Sequence, residues 1–160
     1  MRRTRDEGFA QRRDGELIVT KSGTTPKLSL QEYANAVEQG WPEDDLGRAI
    51  IHDLPRRFHA LTEEEQRQVM ENPPPLTGTR WDALLAATAE HICELHGHPV
   101  QPWMDEPERF LDETWVLAWT PSIWSNALAF APPAFVRHGA VPDPRELDER
   151  GGESREWVPE

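Results

Sequence analysis

Residues 79–103 read TRWDALLAATAEHICELHGHPVQPW, and the fold is organised around them. Trp81, Leu84, Leu85, Thr88, Ile92 and Leu95 recur at the spacing of one face of a 3.6-residue helix. Thr79 can cap that helix by accepting a first-turn N–H, and Asp82 suits its positive end. Gly97 supplies a left-handed stop and Pro99 prevents continuation. Four alanines, Ala83, Ala86, Ala87 and Ala89, raise helix propensity and leave room for a close neighbour on a second face.

Outward from this helix the chain reads as mainly α, a compact bundle of short helices. Ser29–Glu32 has the pattern of a capping box and opens a helix to about residue 39, closed by Gly40. Trp41-Pro42 leads into a second helix over 43–54, which Pro55 is expected to break. Thr62–Glu65 is another capping box, starting a helix to about Met70. Asn72-Pro-Pro-Pro75 reads as a stiff extended link. Beyond Trp103, Pro107 with Asp105 and Glu106 predicts a helix start, and the chain is expected to leave that helix near Trp115. Pro121 opens a further helix, Pro132-Pro133 ends it, and Ala134–Val136 add one turn closed by Gly139. The candidate strand is Glu16–Thr20, ELIVT, near the N-terminus.

These readings divide the chain into a flexible basic arm (1–27), a helical domain (28–142) and an acidic flexible tail (143–160). Within the domain, residues 28–71 and 79–142 form two lobes about the Pro-rich link 72–78. The ends are expected to be disordered, being charged and poor in large apolar groups.

Of the 160 residues, 15 are proline and seven are tryptophan against one tyrosine. The net charge is −12, which argues against a general nucleic-acid binder, since phosphate contacts need an electropositive surface. Charge is uneven: residues 1–13 carry five arginines against Asp6 and Glu7, a net of +3, so the remainder carries −15. An acidic body suits solubility or a basic partner. With Cys93 the single cysteine, no intramolecular disulfide can form. The Arg-rich start is not followed by an apolar run, and no segment is long and apolar enough to span a bilayer, so the expected compartment is the cytoplasm.

Three groups of residues invite a chemical reading. His91, His96 and His98 lie close to Glu90 and Glu94, but His91 and His96 are five apart, roughly 140° around a helix. A zinc-binding helix places two histidines four apart on one face. These three histidines are nevertheless the candidate ligands of an alternative reading, a small metal-dependent hydrolase. Asp105, Glu106, Glu108, Asp112 and Glu113 form an acidic cluster with Arg109 beside it, most simply a solvated face or a match for a basic patch. Ser122 and Ser125 sit in no nucleophile-elbow pattern, and the chain contains no phosphate-binding loop or paired-cysteine motif. The expected protein is therefore not an enzyme and needs no cofactor. The five rings of Trp103, Trp115, Trp119, Trp124 and Phe130 exceed what so small a core requires.

Arg80–Leu85, Ala89–His91, His96-Gly97, Pro99-Val100 and Trp103, then Asp105–Asp112 and Ala127–Gly139, together resemble a bacterial module. It is the C-terminal module of small, mainly actinobacterial proteins. The resemblance covers about residues 76–142, and its Glu-Pro-Glu-Arg-Phe-Leu element is fairly specific. It implies an antitoxin-like partner of a nucleotidyltransferase-like protein, and it brings no catalytic residues. Residues 28–71 show no helix-turn-helix of the kind some members carry, so the other alternative, a transcriptional regulator, would rely on the N-terminal arginines. The resulting expectation is an interaction protein whose partner has a basic surface. Its expected binding face is Trp103, Asp105, Glu106, Glu108, Arg109, Phe110, Trp115, Trp119 and Trp124.

Overall fold

In a computed structural model that describes residues 27–117, 121–143 and 146–147, the protein is mainly helical with one small sheet. The candidate strand 16–20, the basic arm, Trp119 and most of the acidic tail lie outside the described residues.

The central helix, α5 (Trp81–His96), is buried on every side from Trp81 to Cys93. An apolar face and a second, alanine-lined face with room for a close neighbour were expected. The alanines on the other faces instead admit neighbours all round, and only the last turn, with Leu95 exposed, reaches solvent. Its start is tied down by Asp82, whose buried carboxylate accepts the Thr77 and Gly78 N–H groups at 2.8–3.0 Å and the Thr77 hydroxyl at 2.8 Å. Thr79 Oγ1 accepts the Trp81 N–H at 3.3 Å. Its end is the expected left-handed glycine, Gly97 at φ 75°, with the His98 N–H returning to the Cys93 carbonyl.

Helix α1 (Gln31–Glu38) is preceded by Ser29, whose N–H donates to Glu32 while its hydroxyl accepts from Gln31. Helix α4 (Glu63–Glu71) opens on a complete capping box between Thr62 and Glu65. Between them the structure corrects the sequence reading. Helix α2 (Glu43–Arg48) does not stop at Pro55. It passes through a π turn (Ala49–Asp53) into α3 (Leu54–His59), giving one continuous helix. The π turn closes with the Leu54 N–H on the Ala49 carbonyl, directly ahead of the residue that has no N–H to give. Leu46, Ile50, Leu54 and Phe58 are all buried. A strict four-residue repeat drifts by about 40° per step on an α-helix, and the wider π turn absorbs that drift.

The second correction concerns residues 102–117. In place of a helix from Pro107 there are two 3₁₀ turns, Pro102–Asp105 and Pro107–Arg109, then a strand, β1 (Trp115–Leu117). Tertiary partners take the hydrogen bonds a helix would have used: the Leu111 N–H donates to the His138 carbonyl and the Trp115 N–H to the Gly139 carbonyl. The chain then runs through α6 (Pro121–Phe130) and α7 (Pro133–His138) to β2 (Ala140–Pro142), parallel to β1 with Val116 opposite Val141. Helix α7 is the main neighbour of α5. A contiguous core extends from Leu28 to Ala140, with residues from both sides of the Pro-rich link.

Gly139 ends α7 at φ 81°, and a Cβ there would lie 3.1 Å from the Leu111 carbonyl oxygen. Positive φ and crowding by backbone act together, so Gly139→Ala is expected to cost about 2 kcal/mol. Gly97, with open space at its Cβ position, controls for φ alone. Equal losses at the two sites in chemical unfolding would show that the close approach to Leu111 contributes nothing.

Candidate interaction surface

A concavity of about 210 Å³ lies where β1 meets the start of α5 and the π-containing helix. Its apolar floor comes from Trp81, Trp115 and Ile51. The two indoles meet edge to face, ring centres 4.9 Å apart. The guanidinium of Arg80 lies 4.0 Å above the Trp115 ring and pairs with Glu43 at 3.1 Å, fixing the half-buried indole from outside. Glu43, Asp44 and Glu146 form an acidic rim, with Arg48 the one arginine in the lining. The π turn matters here because it aims Ile51 and His52 into the opening.

Helix α6 packs against β1, though none of its residues lines the pocket. It leaves Trp124 45% and Phe130 70% exposed, with Leu128 also outward, as is Val136 on α7. No charged residue or histidine occurs from Thr114 to Val136, in a chain that is 29% charged. An acid-rimmed aromatic pocket lined by β1 and an uncharged, aromatic-rich surface on α6, which packs on β1, together have the composition of a protein interface.

Among the described residues of the nine expected to form one binding face, not all lie at the surface. Trp103 and Arg109 belong to the interior. Trp103 is 6% exposed and donates its indole N–H to the Met70 carbonyl at 2.7 Å. Arg109 is 1% exposed, donates to the Pro74 carbonyl at 2.7 Å and to Glu106 at 2.9 Å, and lies over the Trp103 ring. Together they pin the Pro-rich link to the two 3₁₀ turns. Glu106 is thus committed to Arg109, and Asp105 pairs with Arg137 at 2.8 Å. Glu108 is exposed. Phe110 is half-buried and stacks on His138 at 4.3 Å. Trp115 joins the pocket, Trp124 lies on α6, and Trp119 falls outside the described residues.

Beneath Phe110 lies a charge network that sequence reading did not find. Glu90, 5% exposed on α5, accepts from Arg137 Nε at 3.1 Å and pairs with His138 Nε2 at 2.9 Å. The other ring nitrogen of His138 lies 2.6 Å from the Arg109 carbonyl oxygen. Both nitrogens of this fully buried ring face oxygen atoms, one of Glu90 and one of the Arg109 carbonyl. Burial alone would raise the Glu90 carboxyl, but hydrogen bonds from Arg137 and His138 and their charges hold it below the usual carboxylate range. A glutamate–histidine pair can serve acid–base chemistry, yet here Phe110 roofs the ring and Arg137 lies over Phe110, so the network joins α5 to α7.

The three histidines considered as ligands are also separated. His91 packs against Phe135, whereas His96 and His98 stack on each other and pack edge-on to Phe58. Burial, with His59 and His98 nearby, lowers the His96 pKa. Among the described residues no group of three or more His, Cys, Asp or Glu side chains is placed to hold a metal ion. Cys93 is buried, its thiol pushed up to about 12 by burial, which makes it inert at neutral pH. No helix among the described residues is long and apolar enough to cross a membrane.

The chain matches no protein-family model, no curated protein and no solved structure.

The residues that form the pocket are scattered over positions 43–52, 81, 115–117 and 146. Glu43 and Asp44 looked like ordinary first-turn acids, and Trp81 like a core anchor. No local motif connects them.

Proposed function

We propose that this protein is a non-enzymatic protein–protein interaction module of the cytoplasm, the neutralising, antitoxin-like partner of a toxin-like enzyme. The observation that carries the reading is the acid-rimmed aromatic pocket of Trp81 and Trp115, together with the exposed apolar side chains of α6, which packs on the pocket's strand β1. The carboxylates at its rim suit a basic segment of the partner, and the exposed rings suit burial at the centre of a contact. Neutralisation would be by occlusion: the module covers basic residues that the enzyme needs for an anionic substrate. The resemblance of residues 76–142 to modules that accompany nucleotidyltransferase-like proteins supports an enzyme of that kind as the partner.

Affinity purification of the tagged full-length protein from its native host, with mass spectrometry, tests the role. The expected result is one stoichiometric partner with a basic cleft, whose activity falls when purified protein is added back at equal concentration. A monomer that retains no partner, or a partner whose activity is unchanged, overturns it. Given the complex, Asp44→Lys with Glu146→Lys is expected to slow association about tenfold at low salt and to leave dissociation nearly unchanged. The difference should shrink at high salt, where rim charges are screened. Unchanged association would remove the acidic rim from the interface.

A further inference from the structure

The two strands of the sheet differ at their outer edges. In a parallel pair, alternate residues turn their backbone groups toward the partner strand. With Trp115 opposite Ala140 and the Trp115 N–H on the Gly139 carbonyl, Trp115 and Leu117 bond to β2. The N–H and C=O of Val116 therefore point away from β2. Val116 lines the pocket, and its outward groups have no backbone partner among the described residues. The far edge of β2 is closed by different means: Ala140 and Val141 are buried, and Pro142 has no N–H to offer. Among the described residues the edge of β1 at Val116 is thus unpaired and lies beside a pocket that has an indole floor and a carboxylate rim.

We infer that β1 is a docking edge at which an extended segment of the partner adds a third strand. One residue of that segment exchanges backbone hydrogen bonds with Val116. An apolar side chain seats on Trp81 and Trp115, and a lysine or arginine two positions along, on the same face of the added strand, meets Asp44 and Glu146, Glu43 being paired with Arg80. Strand addition divides the work this way: main-chain bonds supply register, and alternate side chains supply selectivity. The charge of the rim selects the occupant, an extended segment of the partner protein with a basic and an apolar residue two positions apart. The inference rests on the interaction role proposed for this protein, and it names the site and the sequence pattern recognised there.

The test uses the full-length chain and three synthetic heptapeptides: Lys–Val (Thr-Lys-Thr-Val-Thr-Lys-Thr, whose lysines lie two positions from the valine and on its face), the same peptide N-methylated at its central residue, and Glu–Val, with glutamate in place of each lysine. Binding is followed by backbone amide shifts and by hydrogen exchange at Val116. The expected result is that Lys–Val binds, shifts the Val116 amide and slows its exchange. The N-methylated peptide should bind about tenfold more weakly, because one backbone hydrogen bond is lost, and Glu–Val should not bind. Val116→Pro removes the outward N–H while leaving the bonds to β2, and should weaken Lys–Val to a similar degree with little change in melting temperature.

Equal binding of the N-methylated peptide overturns the inference, as does absence of Lys–Val binding or shifts confined to α6. Concentration-dependent self-association abolished by Val116→Pro would also overturn it, because a second copy would then be the occupant. The two readings fail separately. If Val116→Pro retains the native partner as well as the wild type does, the edge is wrong and the interaction role stands. If no partner is captured but Lys–Val docks at Val116, the edge stands and the role falls.

Discussion

Glu90→Ala is expected to destabilise the protein by about 3–5 kcal/mol, since it leaves the buried ring of His138 and the guanidinium of Arg137 without their shared carboxylate. For a folded body of this size the melting temperature should drop by on the order of 10 °C or more. Glu90→Gln keeps the shape and one acceptor oxygen, so its cost should be smaller. The pH dependence separates this network from simple packing. The native Glu90 carboxyl is held below its usual range. Its contribution is therefore complete above the ordinary glutamate pKa and is lost as pH falls from there through the lower native value. Denaturation curves collected from neutral to acidic pH should show a shallower decline for Glu90→Gln than for the wild type. Parallel declines would mean that the carboxylate adds no net pH-dependent stability.

Trp103→Ala should be comparably severe, about 3–5 kcal/mol, because a large buried ring is removed from between the Pro-rich link and Arg109. Trp103→Phe restores most of the volume but leaves the Met70 carbonyl without its donor, at a cost of about 1–3 kcal/mol. Trp124→Ala, at a ring 45% exposed on α6, should cost far less stability. The contrast distinguishes an interior tryptophan from a surface one. Should Trp103→Ala melt like the wild type and only weaken a purified complex, the ring would belong to an interface after all.

What could be read from the chain was what its local chemistry controls. The Thr62–Glu65 box, the Gly97 and Gly139 stops and the apolar spacing of residues 81–92 act over a few positions, and the corresponding helices form as expected. Pro107 with its neighbouring acids is an equally good helix signal, and there it failed. The backbone after Arg109 finds carbonyls on residues 138 and 139, almost thirty positions away, and no local pattern encodes that. Both strands are three residues long and parallel, so their pairing depends wholly on the α6–α7 crossover. The candidate binding set misled for a related reason. Tryptophan beside arginine and carboxylates is the composition of an interface centre, but it is also that of a buried arginine stacked on an indole, and Trp103 with Arg109 proved to be the second.

The π turn makes the helix from Glu43 to His59 one residue longer than its span requires. Buried positions spaced four, three and four apart would form an ordinary α-helical stripe, whereas here they stand at four, four and four. Tolerance to deletion should therefore be concentrated in a single place. Loss of one residue from 49–53 lets the turn tighten to α geometry while both flanking segments keep their faces. The same loss inside α2 or α3 rotates everything beyond it by about 100° and turns either the acidic rim or Phe58 away from its place. Length variation along this helix is thus a record of which segment carries the surplus.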